Sequence, residues 1–267
     1  MMEINKIYNE NCLETMKRMD DCFIDLTVTS PPYDNLRNYN GYEFEFEKIA
    51  KELYRVTKDG GVVVWVVGDA TINGSETGTS FKQALYFKEI GFNLHDTMIY
   101  KKENPVPNGT NRYNQSFEYM FVLSKCNPKS FNPIFRKRNN KTNDKRTKRF
   151  KGFTRDKNGS FKKTNYIIKE EVIRENIFEY YVGMGNTSND KTAFSHPAIF
   201  PEKLAKEHIY SWSNEGDLIY DCFMGSGTTA KMAHLQKRNW IGSEISKEYI
   251  DLSNKRLEPY LTQTTLF

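Results

Sequence analysis

The sequence predicts an α/β fold on three observations. Short apolar runs rich in β-branched residues alternate with segments of helical period, glycine and proline mark the boundaries between them, and two unusual loops fall where predicted strands end. Residues 22–28 read as the first strand: Phe23, Ile24, Leu26 and Val28 are apolar, and Thr29-Ser30-Pro31-Pro32 halts the run because a proline pair cannot continue a ladder. Over residues 44–56 the positions Phe46, Ile49, Ala50, Leu53 and Val56 recur at helical spacing, and Lys58-Asp59-Gly60-Gly61 is expected to close that helix. Residues 62–67, a continuous run containing Trp65, predict a strand buried on both faces. A helix over 81–90 should stop at Gly91, with strands over 92–100 and 117–123 joined by a polar loop that includes Asn104-Pro105-Val106-Pro107-Asn108-Gly109.

Beyond Cys126 no apolar period survives until about Thr164, which marks an insertion or a mobile surface segment. Order returns at Pro201, suited to a first helical position, followed by Leu204, Ala205, His208 and Ile209. A strand over 218–223, a helix over 228–236, a strand over 240–245 and a helix over 247–257 complete the pattern.

A chain of 267 residues can bury a full core as one large domain or a domain with a sizeable insertion. Cys12, Cys22, Cys126 and Cys222 lie far apart with no CxxC pair, which suggests neither a zinc knot nor a disulfide framework. His95, His208 and His234 have no metal-ligand spacing with them, so no metal is expected. No basic flank and apolar stretch open the chain, and the apolar run 62–67 falls far short of the ~18 residues that span a bilayer. A soluble protein of the reducing cytoplasm, with no membrane partner, is the expectation.

The net charge of +5 conceals a strong asymmetry, because residues 129–163 hold fourteen Lys or Arg against Asp144 and Asp156. A mildly acidic body with one basic segment suits a protein that meets a polyanion through a defined surface; a solvated lysine-rich loop is the alternative.

Asp221-Cys222-Phe223-Met224-Gly225-Ser226-Gly227-Thr228-Thr229 sits where a strand turns into a helix. Glycines there permit positive φ and close backbone approach to a ligand, and the helix start offers amides. The next strand ends at Glu244, whose carboxylate can accept from a ribose diol. Together they suggest a nucleoside site, although a GxG alone also serves as a structural turn. It lacks the lysine and spacer of a P-loop and the third glycine of a dinucleotide fingerprint, which disfavours a nicotinamide dehydrogenase.

Thr29-Ser30-Pro31-Pro32-Tyr33 follows the first strand, at the end where α/β proteins place ligands. Two prolines stiffen the loop and remove donors, so its carbonyls and the Ser30 hydroxyl present acceptors in a fixed direction. An amine is the natural guest: acceptors aimed at its hydrogens favour a pyramidal nitrogen whose lone pair can attack a methyl sulfonium. Tyr33 then stacks on an extruded base or is simply an exposed turn residue, and Tyr39, Tyr42 and Phe44 edge the same pocket or belong to the core.

These two loops resemble those of the DNA amino-methyltransferases of restriction-modification systems. Asp25, Phe117-Glu118-Tyr119, Ser195-His196-Pro197 with Pro201-Glu202-Lys203, and Ile241-Gly242-Ser243-Glu244 join the resemblance, which covers roughly residues 5–125 and 190–258. The proline loop precedes the glycine loop, as in the permuted β subgroup. A protein-glutamine methyltransferase would show an NPPY loop after its cofactor motif.

The resemblance implies a Rossmann-like, seven-stranded, mostly parallel sheet. Residues 1–125 would form the catalytic half, 126–182 a basic target-recognition insertion and 183–267 the cofactor-binding half. It also implies methyl transfer from S-adenosyl-L-methionine to cytosine N4 in double-stranded DNA, with adenine N6 the alternative. A silent DNA-binding protein on this scaffold and an RNA methyltransferase are further readings.

Catalysis then falls to Ser30, Pro31, Pro32 and Tyr33. Cofactor contacts fall to Asn11, Cys12, Thr29, Ser195, His196, Pro197, Asp221, Phe223, Gly225, Ser226, Gly227, Thr228 and Glu244. Asn11 stands where the family often has aspartate, and His196 is expected to position rather than to act as a base. DNA contacts fall to Arg136, Lys137, Arg138, Lys145, Arg146, Lys148 and Arg149. A cognate restriction endonuclease or a solitary role, and a homodimer, are the partner arrangements such an enzyme leaves open.

Overall fold

Residues with branched or aromatic side chains and no polar interruption can bury both faces of a strand, and the runs of that kind form the middle of the sheet. The computed structural model describes residues 2–32, 44–107, 111–138, 149–167, 170–183, 185–188, 190, 193, 199 and 201–262. The chain divides into two compact units, one comprising Met1–Asn132 with Asn176–Phe267 and the other Pro133–Glu175.

The first unit opens with β1 (Lys6–Asn9), α1 (Cys12–Lys17), β2 (Ile24–Thr29), α2 (Phe46–Val56) and β3 (Thr57–Val67). A small hairpin, β4 (Thr71–Ile72) and β5 (Ser75–Glu76), precedes α3 (Thr79–Glu89), β6 (Asn93–Lys102) and β7 (Phe117–Ser124). The second unit contributes β8 (Phe135–Lys137), β9 (Arg149–Arg155), β10 (Phe161–Ile167) and β11 (Glu171–Ile173). The first unit resumes with β12 (Ile177–Tyr180), α4 (Glu202–Trp212), β13 (Leu218–Asp221), α5 (Thr228–Leu235), β14 (Asn239–Glu244) and α6 (Lys247–Leu261).

The main sheet has the order β1-β14-β13-β2-β3-β7-β6-β12. Every neighbouring pair is parallel except the two that involve β7, so β7 alone runs against the rest. Among the described residues the sheet thus has eight strands where seven were expected; the short β12 extends it beyond β6, with Ile177 opposite Ile99. On one face α1, α2 and α3 bury Leu13, Met16, Ile49, Leu53, Ala84 and Phe87 against Val63, Trp65 and Val67 of β3. Trp65 donates its indole N–H to Gln83 Oε1 at 2.8 Å, so the largest ring of that core leaves no polar atom unmatched. On the other face α4 lies against β2, and α5 against β13 and β14.

Pro201 caps α4 in extended geometry and does not open it, β13 ends at Asp221, and two further boundaries differ from expectation. Lys58-Asp59-Gly60-Gly61 does not form a glycine cap: α2 ends when the Thr57 hydroxyl donates to Leu53 O at 2.6 Å, and those four residues already belong to β3. Gly60 is needed there for its φ of +81° and because a Cβ would lie 2.8 Å from Lys129 Cβ. The segments 126–132 and 176–182, assigned by sequence to the insertion, join the first unit, because β12 pairs with β6 and Asn132 Nδ2 donates to Tyr210 O at 3.0 Å.

The second unit carries antiparallel pairs rather than structureless chain: β9 with β10, and β8 with β11. The β9–β10 turn is built by Asp156, whose Oδ1 accepts from Asn158 N and Ser160 N at 2.9 and 3.0 Å. Among its described side chains, the aromatic residues Phe135, Phe153 and Phe161 are exposed.

Candidate active site

Strand connectivity fixes where a ligand can sit. β2 and β13 are parallel neighbours, with Ile219 opposite Leu26. From β13 the chain passes through α5 to β14 on one side, and from β2 it passes through α2 to β3 on the other. Neighbouring strands whose connections diverge leave a crevice outside their carboxyl ends, where such sheets bind ligands. The loop after β2 is Ser30-Pro31-Pro32 and the loop after β13 is residues 222–227, so both singled-out motifs meet at this crevice.

Asp221 joins them from below. Its carboxylate is 1% exposed and accepts from the Thr29 and Thr229 hydroxyls, both at 2.7 Å, and from Phe223 N at 3.0 Å. Burial pushes its carboxyl up, against the pull of those hydrogen bonds. Thr29 is fully buried as well. The side chains of Thr29 and Asp221, expected among the cofactor contacts, therefore face the interior and tie the ends of β2 and β13 to the start of α5.

The glycine loop rests on β14 and α6. Met224 N donates to Ser243 O and Gly227 N to Met224 O, both at 2.9 Å. Gly242 admits the Met224 side chain, since a Cβ there would come within 2.3 Å of Met224 Cε. Gly227 has φ +78°, and a Cβ on it would meet Ser253 Cβ at 3.1 Å. Glu244 at the end of β14 accepts from Gly225 N at 2.9 Å and from Ser246 N at 2.8 Å, one bond per carboxylate oxygen. Each oxygen keeps acceptor capacity, which suits a diol. Burial raises the Glu244 carboxyl above its ordinary value, the two amides opposing. Ser226 and Thr228 are buried, with their hydroxyls 3.3 and 2.9 Å from Arg256 Nη1. Phe223 is half-buried, its ring 5.8 Å from that of Phe44.

Asn11 acts as the N-cap of α1, accepting from Leu13 N at 2.9 Å, and Cys12 is buried in the core. Tyr33, Tyr39, Tyr42, Ser195, His196, Pro197, Lys145, Arg146 and Lys148 lie outside the described residues. In the second unit Arg136 Nε donates to Glu175 Oε2 at 2.6 Å, holding that carboxyl down at about 2. Lys137 and Arg138 are exposed, and Arg149 opens β9. His208 is a core residue stacked on Phe178, its Nε2 3.2 Å from Met120 Sδ.

Sequence reasoning missed a cluster of four charged residues behind the loop, of which Glu202 alone stood in a motif of the resemblance, without this role. Lys231 Nζ contacts Asp190 Oδ2 at 2.7 Å and Glu202 Oε1 at 2.9 Å, and Arg256 contacts the same two carboxylates. A signal existed: Arg256 shares the helical face of Ile250, Ser253 and Leu257, where a solvated cation is out of place.

An open sheet with a glycine loop and an acidic strand end at its switch point defines the Rossmann-like class of nucleoside-binding α/β proteins. Within that class, residues 24–255 match the N6/N4 DNA methylase family, and the chain belongs to it. An orphan methyltransferase of Bacillus amyloliquefaciens, M.BamHII, is 59% identical over 248 residues, covering 92% of each chain. The structure of PvuII DNA methyltransferase, described as cytosine-N4-specific, superposes with a TM-score of 0.69 at 20% identity, over 100% of this chain and 89% of that one. That of M1.HpyAVI in complex with S-adenosylmethionine gives 0.61 at 23% identity, over 94% and 98%. The protein is accordingly a DNA methyltransferase, and the methyl donor of its family is S-adenosyl-L-methionine.

Proposed function

We propose that the chain methylates the exocyclic N4 of a cytosine turned out of the DNA helix. The observation that carries this reading is the pairing of Ser30-Pro31-Pro32 with the glycine loop across the β2–β13 switch point, welded by the Thr29–Asp221 bond. S-adenosyl-L-methionine supplies an electrophilic methyl group on a sulfonium. Glu244 is suited to accept from its ribose, and the backbone around Gly225 and Gly227 lets the adenosine approach closely. The Ser30 hydroxyl and the Pro31 carbonyl accept from the amine hydrogens, drawing the nitrogen lone pair out of conjugation with the base ring. The nitrogen–methyl bond forms as the sulfonium–methyl bond breaks, and the cationic amine releases its proton to water. No protein base is required for that step.

The choice of cytosine rests on serine at the head of the loop, where the resembling adenine enzymes usually carry aspartate or asparagine. The cytosine-N4 specificity stated for the PvuII enzyme supports it. The name of the B. amyloliquefaciens relative favours a solitary modifier over a partner of an endonuclease. The basic second unit, with fifteen Lys or Arg against five Asp or Glu, is proposed to meet DNA phosphates. The test is enzymatic hydrolysis of DNA treated with the protein and labelled cofactor, followed by nucleoside separation. Label in N4-methyldeoxycytidine is expected; label only in N6-methyldeoxyadenosine would reject the cytosine assignment.

A further inference from the structure

The glycine loop is held from behind by one face of α6. Ser253 Oγ donates to Gly225 O at 2.6 Å, and three residues on, Arg256 Nη1 donates to Ser226 O at 2.8 Å. In a trans peptide the carbonyl and the following N–H point in opposite directions. Drawing the Gly225 carbonyl toward α6 therefore turns the Ser226 N–H away from that helix. The carbonyl of Ser226 is drawn in likewise, and the Gly227 N–H on the same peptide closes onto Met224 O at 2.9 Å. Gly225 and Gly227 have φ of +51° and +78°, a region open to glycine without strain, so the backbone can turn both carbonyls toward α6.

Arg256 is itself oriented by fixed partners. Its side chain is fully buried; Nε donates to Asp190 Oδ2 at 2.8 Å, and Nη2 donates to Ser188 Oγ at 3.2 Å and contacts Glu202. Lys231 makes up the charge balance by pairing with the same two carboxylates, so two cations face two anions and none is buried alone. The planar guanidinium fork lets one side chain reach the loop and both carboxylates together, which an ammonium cannot do.

We propose that Ser253 and Arg256 are positioning residues of the cofactor site: α6 sets the direction of the loop amides by drawing the Gly225 and Ser226 carbonyls inward. This rests on the glycine loop being the cofactor loop. The variants to compare are Ser253→Ala, Arg256→Lys and Glu244→Ala, with cofactor affinity read by calorimetry and kcat and KM read on DNA. Ser253→Ala and Arg256→Lys are each expected to weaken S-adenosyl-L-methionine binding about 10-fold, the scale of removing one charge-assisted or buried hydrogen bond. At saturating cofactor, kcat and the KM for DNA should stay within about 3-fold of wild type, because neither residue touches the reacting atoms. Thermal unfolding with wild-type cofactor affinity in both variants would overturn the proposal, leaving them purely structural. Should Arg256→Lys fail to fold, Ser253→Ala decides alone, since it deletes one oxygen and retains the Cβ that packs on Gly227. Wild-type affinity in Glu244→Ala would instead remove the cofactor reading beneath it.

Discussion

At Glu244 burial and hydrogen bonding act in opposite directions, and burial prevails, raising the carboxyl above its ordinary 4.5. A ribose diol donates, so it binds the carboxylate and not the acid. With Glu244 holding the ribose as proposed, cofactor binding below the raised value would displace a proton, and affinity should fall as pH drops from neutrality through that value. Glu244→Ala should weaken binding by roughly 1–3 kcal/mol and abolish this pH dependence. Calorimetric titration across pH checks both, and an affinity flat down to 4.5 would contradict them. The place of Glu244 beside the glycine loop was legible in the sequence because an acidic residue ends a strand soon after that loop. Asp221 was legible as part of that motif but not in its role, since only the fold shows that its partners Thr29 and Thr229 come from elements far apart in the chain. Arg256 was marked by its place on the apolar face of α6, but its role and that of Lys231 went unread because their carboxylate partners, Asp190 and Glu202, lie beyond the range of any local pattern.

Among the elements, the second unit separates charge from availability. Arg136 is already bound to Glu175, whereas Lys137 and Arg138 stand exposed on the same short strand and its end. Replacing Lys137 or Arg138 with alanine should lower the slope of log DNA affinity against log salt by up to ~0.9 for each phosphate that is no longer neutralised. Arg136→Ala should change it less, because that guanidinium must first leave Glu175. Equal effects from all three would contradict the pairing, and cofactor affinity serves as the control. Elements were legible where burial dictates composition: the run 62–67 lies at the centre of the sheet in β3, and α2 keeps its apolar face inward. β9 and β10 were not legible, because side chains that stay exposed, as 153–155 and 161–163 do, need no apolar alternation, and β12 is four residues whose pairing with β6 is long-range.

For the whole molecule, the arrangement of strands joins the parts into one site. Divergent connections on either side of β2 and β13 place an acceptor-rich proline loop beside a glycine loop, and no single motif fixes that adjacency. The alternation of elements made the α/β class legible and the resemblance supplied the mostly parallel sheet, while an eighth strand appears only in three dimensions. In the proposed mechanism Ser30 acts on the amine during methyl transfer and not on the binding of either substrate. Single-turnover transfer from labelled cofactor, with protein saturated by DNA, tests it most directly in Ser30→Ala against wild type. A methyl-transfer rate lowered by about 10-fold or more is expected, with dissociation constants for DNA and cofactor unchanged. An unchanged rate, or a fall in rate explained wholly by weaker DNA or cofactor binding, would contradict it.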